Sequence, residues 1–303
     1  MKILVTGSNG LLGQKLVSLL LEKKVAVIAT ARGEDRTQRD DNNYIYCPLD
    51  ITSETEVSQV IADFKPDRVI NTAAMTNVDQ CETEKEACIQ LNVDAVRYLV
   101  NACERQSAHL VHMSTDFIFD GESGPYDEQA EANPISFYGQ SKLDAEEIVK
   151  NSSVSWAILR TVLVYGIVPN MSRSNIILWV KDSLENGKNI KVVTDQWRTP
   201  TLAEDLAMGC YLVAEKHAKG TFNISGAEML TPYDMAIHTA DYFKLDKSLI
   251  AEADSSTFSQ PAKRPPKTGF IIDKAKNELG YKPHTFPEGI AILDEQVRGK
   301  RSM

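Results

Sequence analysis

The sequence predicts an α/β fold: a Rossmann-type, doubly wound parallel sheet with a smaller C-terminal substrate lobe. Short apolar runs alternate with helical stretches through the first half, a glycine-spaced turn joins the first run to the first helix, and the alternation fades beyond Tyr165-Gly166. Strand–helix alternation favours parallel pairing, because a parallel neighbour is reached only through a crossover long enough to hold a helix.

Taken in order, strands are expected over residues 2–6, 25–30, 44–47, 68–71, 109–113 and 156–160, each a short apolar or β-branched run bounded by turn residues. A long helix is expected over residues 82–105, where Ala87, Leu91, Ala95, Tyr98 and Leu99 recur at helical spacing. Another is expected to begin near Ser136, just after Asn133-Pro134. Turn-rich segments such as Val168-Pro169-Asn170 and Ala262-Lys263-Arg264-Pro265-Pro266 mark the second half. The expected division is a cofactor-binding domain over residues 1–165, also receiving elements from about residues 200–228, and a mainly substrate-binding lobe over residues 166–303.

Composition narrows the classes. The 303 residues carry 33 basic and 42 acidic side chains, a formal net charge of −9 that argues against nucleic acid or an anionic membrane as the main partner. The five cysteines, Cys47, Cys81, Cys88, Cys103 and Cys210, have no metal-ligand spacing and an odd count, so structural thiols are expected. The histidines His109, His112, His217, His238 and His284 are scattered, and no metal site is expected. The N-terminal MKILVTG enters a strand directly and no apolar run reaches membrane-spanning length, so a cytoplasmic protein is expected.

The first chemical motif is Thr6-Gly7-Ser8-Asn9-Gly10-Leu11-Leu12-Gly13, which follows the first strand and opens the first helix. In that context glycines permit a tight turn and close approach of a pyrophosphate to a helix N-terminus. The candidate dinucleotide contacts are therefore Gly7, Asn9, Gly10, Leu11, Leu12 and Gly13. After the second strand no acidic ribose ligand appears, and Arg32 stands at the tip, suited to a 2′-phosphate. NADP(H) is thus favoured, with NAD(H) as the alternative. Asp50 and Ile51 follow the third strand at the adenine side, and Thr72, Ala73 and Ala74 follow the fourth, where small residues let backbone approach the cofactor.

The second motif places Ser114-Thr115 at the end of a strand and Tyr138 four residues before Lys142 on one helix face. A phenol with an ordinary pKa of about 10 is a poor proton donor–acceptor at neutral pH, and an adjacent ammonium is expected to lower it. Tyr138 is then the expected acid–base group, Thr115 a hydrogen-bond donor to the same substrate oxygen, and Lys142 the ribose-binding partner.

These residues resemble the extended short-chain dehydrogenase/reductase family. Ser114-Thr115-Asp116-Phe117-Ile118-Phe119-Asp120-Gly121 and Asn71-Thr72-Ala73-Ala74-Met75-Thr76-Asn77-Val78-Asp79 are similar to its dTDP-4-dehydrorhamnose reductase branch. The likeness continues through Leu159-Arg160-Thr161, Tyr165-Gly166, Asp195-Gln196, Pro200-Thr201 and Arg264-Pro265. It implies NAD(P)H-dependent reduction of a nucleotide-linked 4-keto sugar, with Thr115 and Tyr138 at the carbonyl, Asp116 near the sugar, and a homodimer. Phe117 stands where that branch usually has tyrosine, and Leu163 where it has a substrate-contacting tryptophan. Arg198 is the favoured pyrophosphate clamp, ahead of Lys263-Arg264. Two other functions remain open: a sugar-nucleotide epimerase with retained cofactor, and a non-catalytic subunit, since the regulatory subunit of methionine adenosyltransferase resembles the same branch.

Overall fold

In the computed structural model, which describes residues 1–169 and 175–301, the first half builds strand by strand. In chain order it runs β1 (Lys2–Thr6), α1 (Leu11–Glu22), β2 (Ala26–Ala31), β3 (Tyr44–Pro48), α2 (Glu54–Phe64) and β4 (Arg68–Asn71). Then come α3 (Val78–Thr83), α4 (Lys85–Ile89), α5 (Ala95–Gln106), β5 (His109–Thr115), α6 (Phe137–Lys150) and β6 (Trp156–Thr161). The second half contributes β7 (Val164–Tyr165), α7 (Ile176–Glu185), β8 (Ile190–Val193), β9 (Thr201–Leu202), α8 (Ala203–Lys216), β10 (Gly220–Asn223), α9 (Pro232–Phe243), β11 (Ile250–Ala253) and α10 (Phe286–Arg301). Asn170 of the expected turn lies outside the described residues.

Seven strands form one parallel sheet in the order β10-β6-β5-β4-β1-β2-β3. The order reverses between β1 and β4, which opens a crevice at the carboxyl ends of those strands, where open α/β sheets bind ligands. Two apolar cores cover the two faces. One holds Ile3, Val5, Leu16, Leu206 and Phe222, and the other Leu4, Ile28, Val57, Leu99 and Ile158. Parallel strands covered on both faces read as continuous apolar runs, which is why β5 is buried along its whole length. Smaller apolar clusters around Tyr165, Met235 and Phe286, and around Val180, Val192 and Ala240, hold the two-stranded pairs β7–β9 and β8–β11 beside the sheet. No described helix is long and apolar enough to cross a membrane.

The single helix expected over residues 82–105 is instead divided. Residues Gln90–Asp94 form a π-helical turn between α4 and α5. The wider turn carries Asn92 inward, where its Oδ1 accepts from the Met75 N–H at 2.8 Å and its Nδ2 donates to the Met75 carbonyl at 3.1 Å and the Ser141 hydroxyl at 3.1 Å. A regular helix would satisfy its own backbone but leave the loop after β4 untied, and π turns commonly mark such positions.

Candidate active site

The glycine turn fits a dinucleotide by geometry. Gly7 lies at φ +66°, and a Cβ there would stand 2.9 Å from Ala73 Cα, so the turn and the loop after β4 touch backbone to backbone. A Cβ on Gly13 would meet the Gly7 carbonyl oxygen at 2.2 Å. Gly10 caps α1 without a side-chain hydrogen bond, and the first turn holds no acidic residue. The leading N–H groups and the positive end of the helix are therefore open to an anion. The Ser8 hydroxyl, buried in the same turn, has no hydrogen-bond partner. Thr72 donates to the Thr6 carbonyl at 2.6 Å, and Asn9 donates to the Glu34 carbonyl and accepts from the Arg36 N–H, tying the loop after β2 to the glycine turn. Arg32 is exposed on that loop, Asp50 folds its carboxylate onto Thr52, and Ile51 is buried beneath. The residues present thus fit a dinucleotide, with the Arg36 backbone, unmarked by any motif, tied to the glycine turn through Asn9.

The Thr115, Tyr138 and Lys142 side chains converge at the carboxyl end of β5. Strand β5 runs two residues beyond the expected end and delivers Thr115 directly into a 3-10 turn, Asp116–Ile118. Ser136 caps α6 through the Gly139 N–H at 3.1 Å. A Cβ on Gly139 would stand 2.1 Å from the Phe117 carbonyl oxygen, so glycine lets the first turn of α6 pack onto the strand end. That contact sets Tyr138 beside Thr115, whose hydroxyl favours the ionised phenol.

The electrostatics differ from the expectation that Lys142 lowers Tyr138. Burial holds the Tyr138 phenol above its ordinary range, the Thr115 hydroxyl opposes this, and the Asp116 carboxylate adds to the rise. Lys142 Nζ is held by β5, donating to the Met113 carbonyl at 2.6 Å and lying 3.3 Å from His112 Nε2. Burial pulls Lys142 down to about 8, against the opposing influence of Glu146 and Cys88. A buried phenol and a buried ammonium each resist charging in a low-dielectric site, and here that cost exceeds the attraction the spacing suggested.

Asp116 and Arg198 are brought together but are both buried. Burial raises the Asp116 carboxyl, while Arg198, 3.9 Å away, and hydrogen bonds from Thr268 and Thr115 act the other way. The Thr115 hydroxyl donates to Asp116 Oδ1 at 3.1 Å. Arg198 donates to the carbonyls of Trp197, Pro265 and Pro266 and lies over the Phe117 ring at 5.9 Å. A guanidinium so occupied braces the 265–266 turn, which counts against the expected pyrophosphate grip. Arg264 is paired with Asp79 at 2.7 Å. Phe117 stands edge-on to Tyr138 at 5.8 Å, and Leu163 is exposed with φ +36°. Left-handed backbone in a bulky residue is sparsely populated and is often retained at ligand sites.

Two features went unread in the sequence. Cys81 and Cys88 pack beneath Tyr138, and the hydrogen bond with Cys81 draws the Cys88 thiol down to about 7. His112 lies fully buried between Lys142 and Asn71. A histidine in the middle of a fully buried central strand was the available signal.

Comparison with known proteins converges on one family. A family model described as the RmlD substrate binding domain matches residues 1–298. The chain is 32% identical over 295 residues to a probable low-salt glycan biosynthesis reductase from Haloferax volcanii, covering 96% of each. It is 33% identical to a dTDP-4-dehydrorhamnose reductase from Aggregatibacter actinomycetemcomitans, covering 93% of this chain and 94% of that one. It is also 31% identical to methionine adenosyltransferase 2 subunit beta from Bos taurus, covering 82% of this chain and 73% of that protein. Among solved structures, a dTDP-4-dehydrorhamnose reductase from Clostridium acetobutylicum superimposes with a TM-score of 0.86 at 30% identity, covering 98% and 100%. One from Bacillus anthracis in complex with NADP gives 0.83 at 26% identity, covering 97% and 99%.

Proposed function

Because the chain belongs to the RmlD substrate binding domain family, we propose that it is an NADPH-dependent reductase of a nucleotide-linked 4-keto sugar, similar to dTDP-4-dehydrorhamnose reductase. The observation that carries this reading is that Thr115 ends β5 where the first turn of α6 packs onto it through Gly139, setting Tyr138 beside Thr115 with Lys142 held on the same strand.

When bound, NADPH supplies the hydride. Gly7, Asn9, Gly10, Leu11, Leu12 and Gly13 hold the pyrophosphate and Arg32 the 2′-phosphate. Asp50, Ile51, Thr72, Ala73 and Ala74 line the adenosine side, with Tyr138 and Lys142 at the nicotinamide end. Thr115 donates a hydrogen bond to the keto oxygen, and Tyr138 passes its proton to that oxygen as it becomes an alkoxide. Lys142, one turn along the helix, supplies the cation that stabilises the phenolate left behind. Asp116 orients the Thr115 hydroxyl and Arg198 braces Asp116, so both act by holding the sugar pocket in shape. The same reading assigns the cofactor to residues 1–165 together with elements from about residues 200–228, and the sugar nucleotide mainly to residues 166–303, a division supported by β10 pairing with β6 in the main sheet. Alongside α7, a cavity of about 430 Å³ lined by Ile176, Trp179, Val193, Pro232 and Phe258 has the aromatic, mostly apolar walls that suit a nucleobase.

The test is loss of reduced-nicotinamide absorbance with NADPH or NADH and a panel of nucleotide-linked 4-keto sugars. Stoichiometric oxidation with one sugar is the expected result. Tight cofactor binding without net oxidation would replace this reading with an epimerase, and enhancement of a methionine adenosyltransferase without any turnover would replace it with a regulatory subunit, a reading favoured by the 31% identity to that subunit. A cytoplasmic homodimer is part of the proposal, supported by the resemblance to the reductase family and checked by sedimentation.

A further inference from the structure

A continuous line of polar groups runs through the otherwise apolar interior beneath the site. Thr6 Oγ1 donates to Asn71 Oδ1 at 2.6 Å, Asn71 Nδ2 lies 3.2 Å from His112 Nδ1, and His112 Nε2 lies 3.3 Å from Lys142 Nζ. All four side chains are at most 3% exposed. They come from the last residues of β1 and β4, the middle of β5 and α6, so the line crosses the sheet at the switch point.

The direction of these bonds can be worked out. The Thr6 hydroxyl donates to Asn71 Oδ1, so the amide presents its N–H to His112 Nδ1, which must accept. A neutral imidazole has one N–H, and with Nδ1 accepting it lies on Nε2, aimed at Lys142. Burial, and secondarily Lys142, keep His112 from charging. An N–H facing Nζ pairs with the lone pair of an amine and opposes the N–H groups of an ammonium.

We propose that His112 is a positioning residue for the reduction, held by Thr6 and Asn71 as the Nε2–H tautomer so that Lys142 becomes a stronger acid. The inference rests on the reductase reading. After hydride reaches the carbonyl carbon, the Tyr138 O–H proton goes to the alkoxide, and the phenolate takes an N–H proton from Lys142. Lys142 is left as an amine, which accepts from His112 Nε2–H and donates to Met113, and water later returns its proton. No group is then left unpaired in a buried site, where an unmet polar atom is costly.

Lys142 is faced by His112 on β5, Cys88 on α4 and Glu146 on its own helix, with Tyr138 one turn earlier. Glu146 is paired with Arg160 and Lys150, and Cys88 titrates near the same range. The kinetic test is therefore made in a Cys88→Ser background, reading the basic limb of the kcat–pH profile for NADPH-dependent reduction. His112→Phe is expected to move that limb about one unit to higher pH, and the near-isosteric Thr6→Val to move it the same way by less. A limb that stays put, or moves down, overturns the proposal. Independently of turnover, ¹⁵N-histidine NMR of the wild-type protein is expected to show one imidazole with Nε2 protonated and Nδ1 bare, absent from His112→Gln spectra. A protonated Nδ1 at that residue overturns it too. Failure of every 4-keto sugar to turn over would sink the reductase reading while leaving this spectroscopic test standing.

Discussion

The Lys142 ammonium is anchored on the Met113 carbonyl oxygen at 2.6 Å, a bond that ties the middle of α6 to the buried central strand β5. Anchoring there separates two roles that the Tyr–Lys spacing alone runs together, because burial, opposed by Glu146 and Cys88, lowers the lysine, while burial and Asp116, opposed by Thr115, raise the tyrosine.

The first consequence is a pH dependence. Lys142 carries its charge below about 8 and loses it above, burial being the main cause. If the ammonium supports the phenolate, kcat for reduction is level on the acid side of that value and falls roughly tenfold for each unit above it. A rate that instead rises through pH 8 to 9 would exclude the ammonium as the working form.

Replacing Tyr138 by Phe removes the proton donor and little packing, since the ring stays against Phe117 and the buried Cys81 and Cys88. Turnover is expected to drop about 10²- to 10⁴-fold while NADPH binding changes by no more than a few-fold. Stopped-flow reduction together with cofactor fluorescence separates the two. Turnover that survives in Y138F would remove Tyr138 from the mechanism, and loss of both readouts would mean the phenol holds the cofactor.

The glycine turn, the strand alternation and the Tyr–Lys pair were legible because each is local: a few residues whose spacing fixes a turn or a helix face. The break in the helix at Gln90–Asp94 was not, since its cause is Asn92 reaching Met75 and Ser141, residues distant in the chain. Arg198 read as a phosphate ligand because sequence shows a charge but not the Pro265 and Pro266 carbonyls that occupy it. The tuning of Lys142 was hidden for the same reason, as strand residues two apart or on neighbouring strands give no signal of which buried polar groups meet.

Gly7→Ala tests the fit of the cofactor cradle. The added methyl would combine a left-handed backbone with a 2.9 Å approach to Ala73, and main chain cannot swing aside as a flexible side chain can. A cost of about 1–3 kcal/mol is expected. It should appear as a lower melting temperature and as NADPH affinity weakened at least tenfold. Unchanged affinity would show that the pyrophosphate does not approach this turn.

Arg32 is the test of cofactor choice. It is exposed, so its removal leaves packing intact, and a charge-assisted bond to a 2′-phosphate contributes about 1.5–3 kcal/mol. Arg32→Ala is expected to raise KM for NADPH about 10- to 100-fold and to leave KM for NADH nearly unchanged. If both rise together, the arginine serves the loop. If neither moves, Arg36, tied to the same turn by Asn9, is the residue to change next.

The buried pair of Arg160 and Glu146 sets the stability of the catalytic helix. Arg160 donates to both Glu146 oxygens, at 2.9 and 2.7 Å, and neither side chain is more than 4% exposed. Burial alone would raise the Glu146 carboxyl, yet Arg160 and further hydrogen bonds hold it below its ordinary 4.5. A carboxyl lowered in the folded state stabilises fully above its unfolded value, so this contribution is present above about 4.5 and is lost as pH falls through the folded value. Arg160→Met strands a buried carboxylate and is expected to cost about 3–5 kcal/mol at pH 7. The double change with Glu146→Leu should recover much of that loss, because two apolar side chains leave no charge unpaired. Because Glu146 also favours the charged form of Lys142, the double variant, if it folds, should turn over with its basic limb shifted to lower pH. Equal melting temperatures for the single and double variants would mean that packing, and not the ion pair, holds α6 on the sheet.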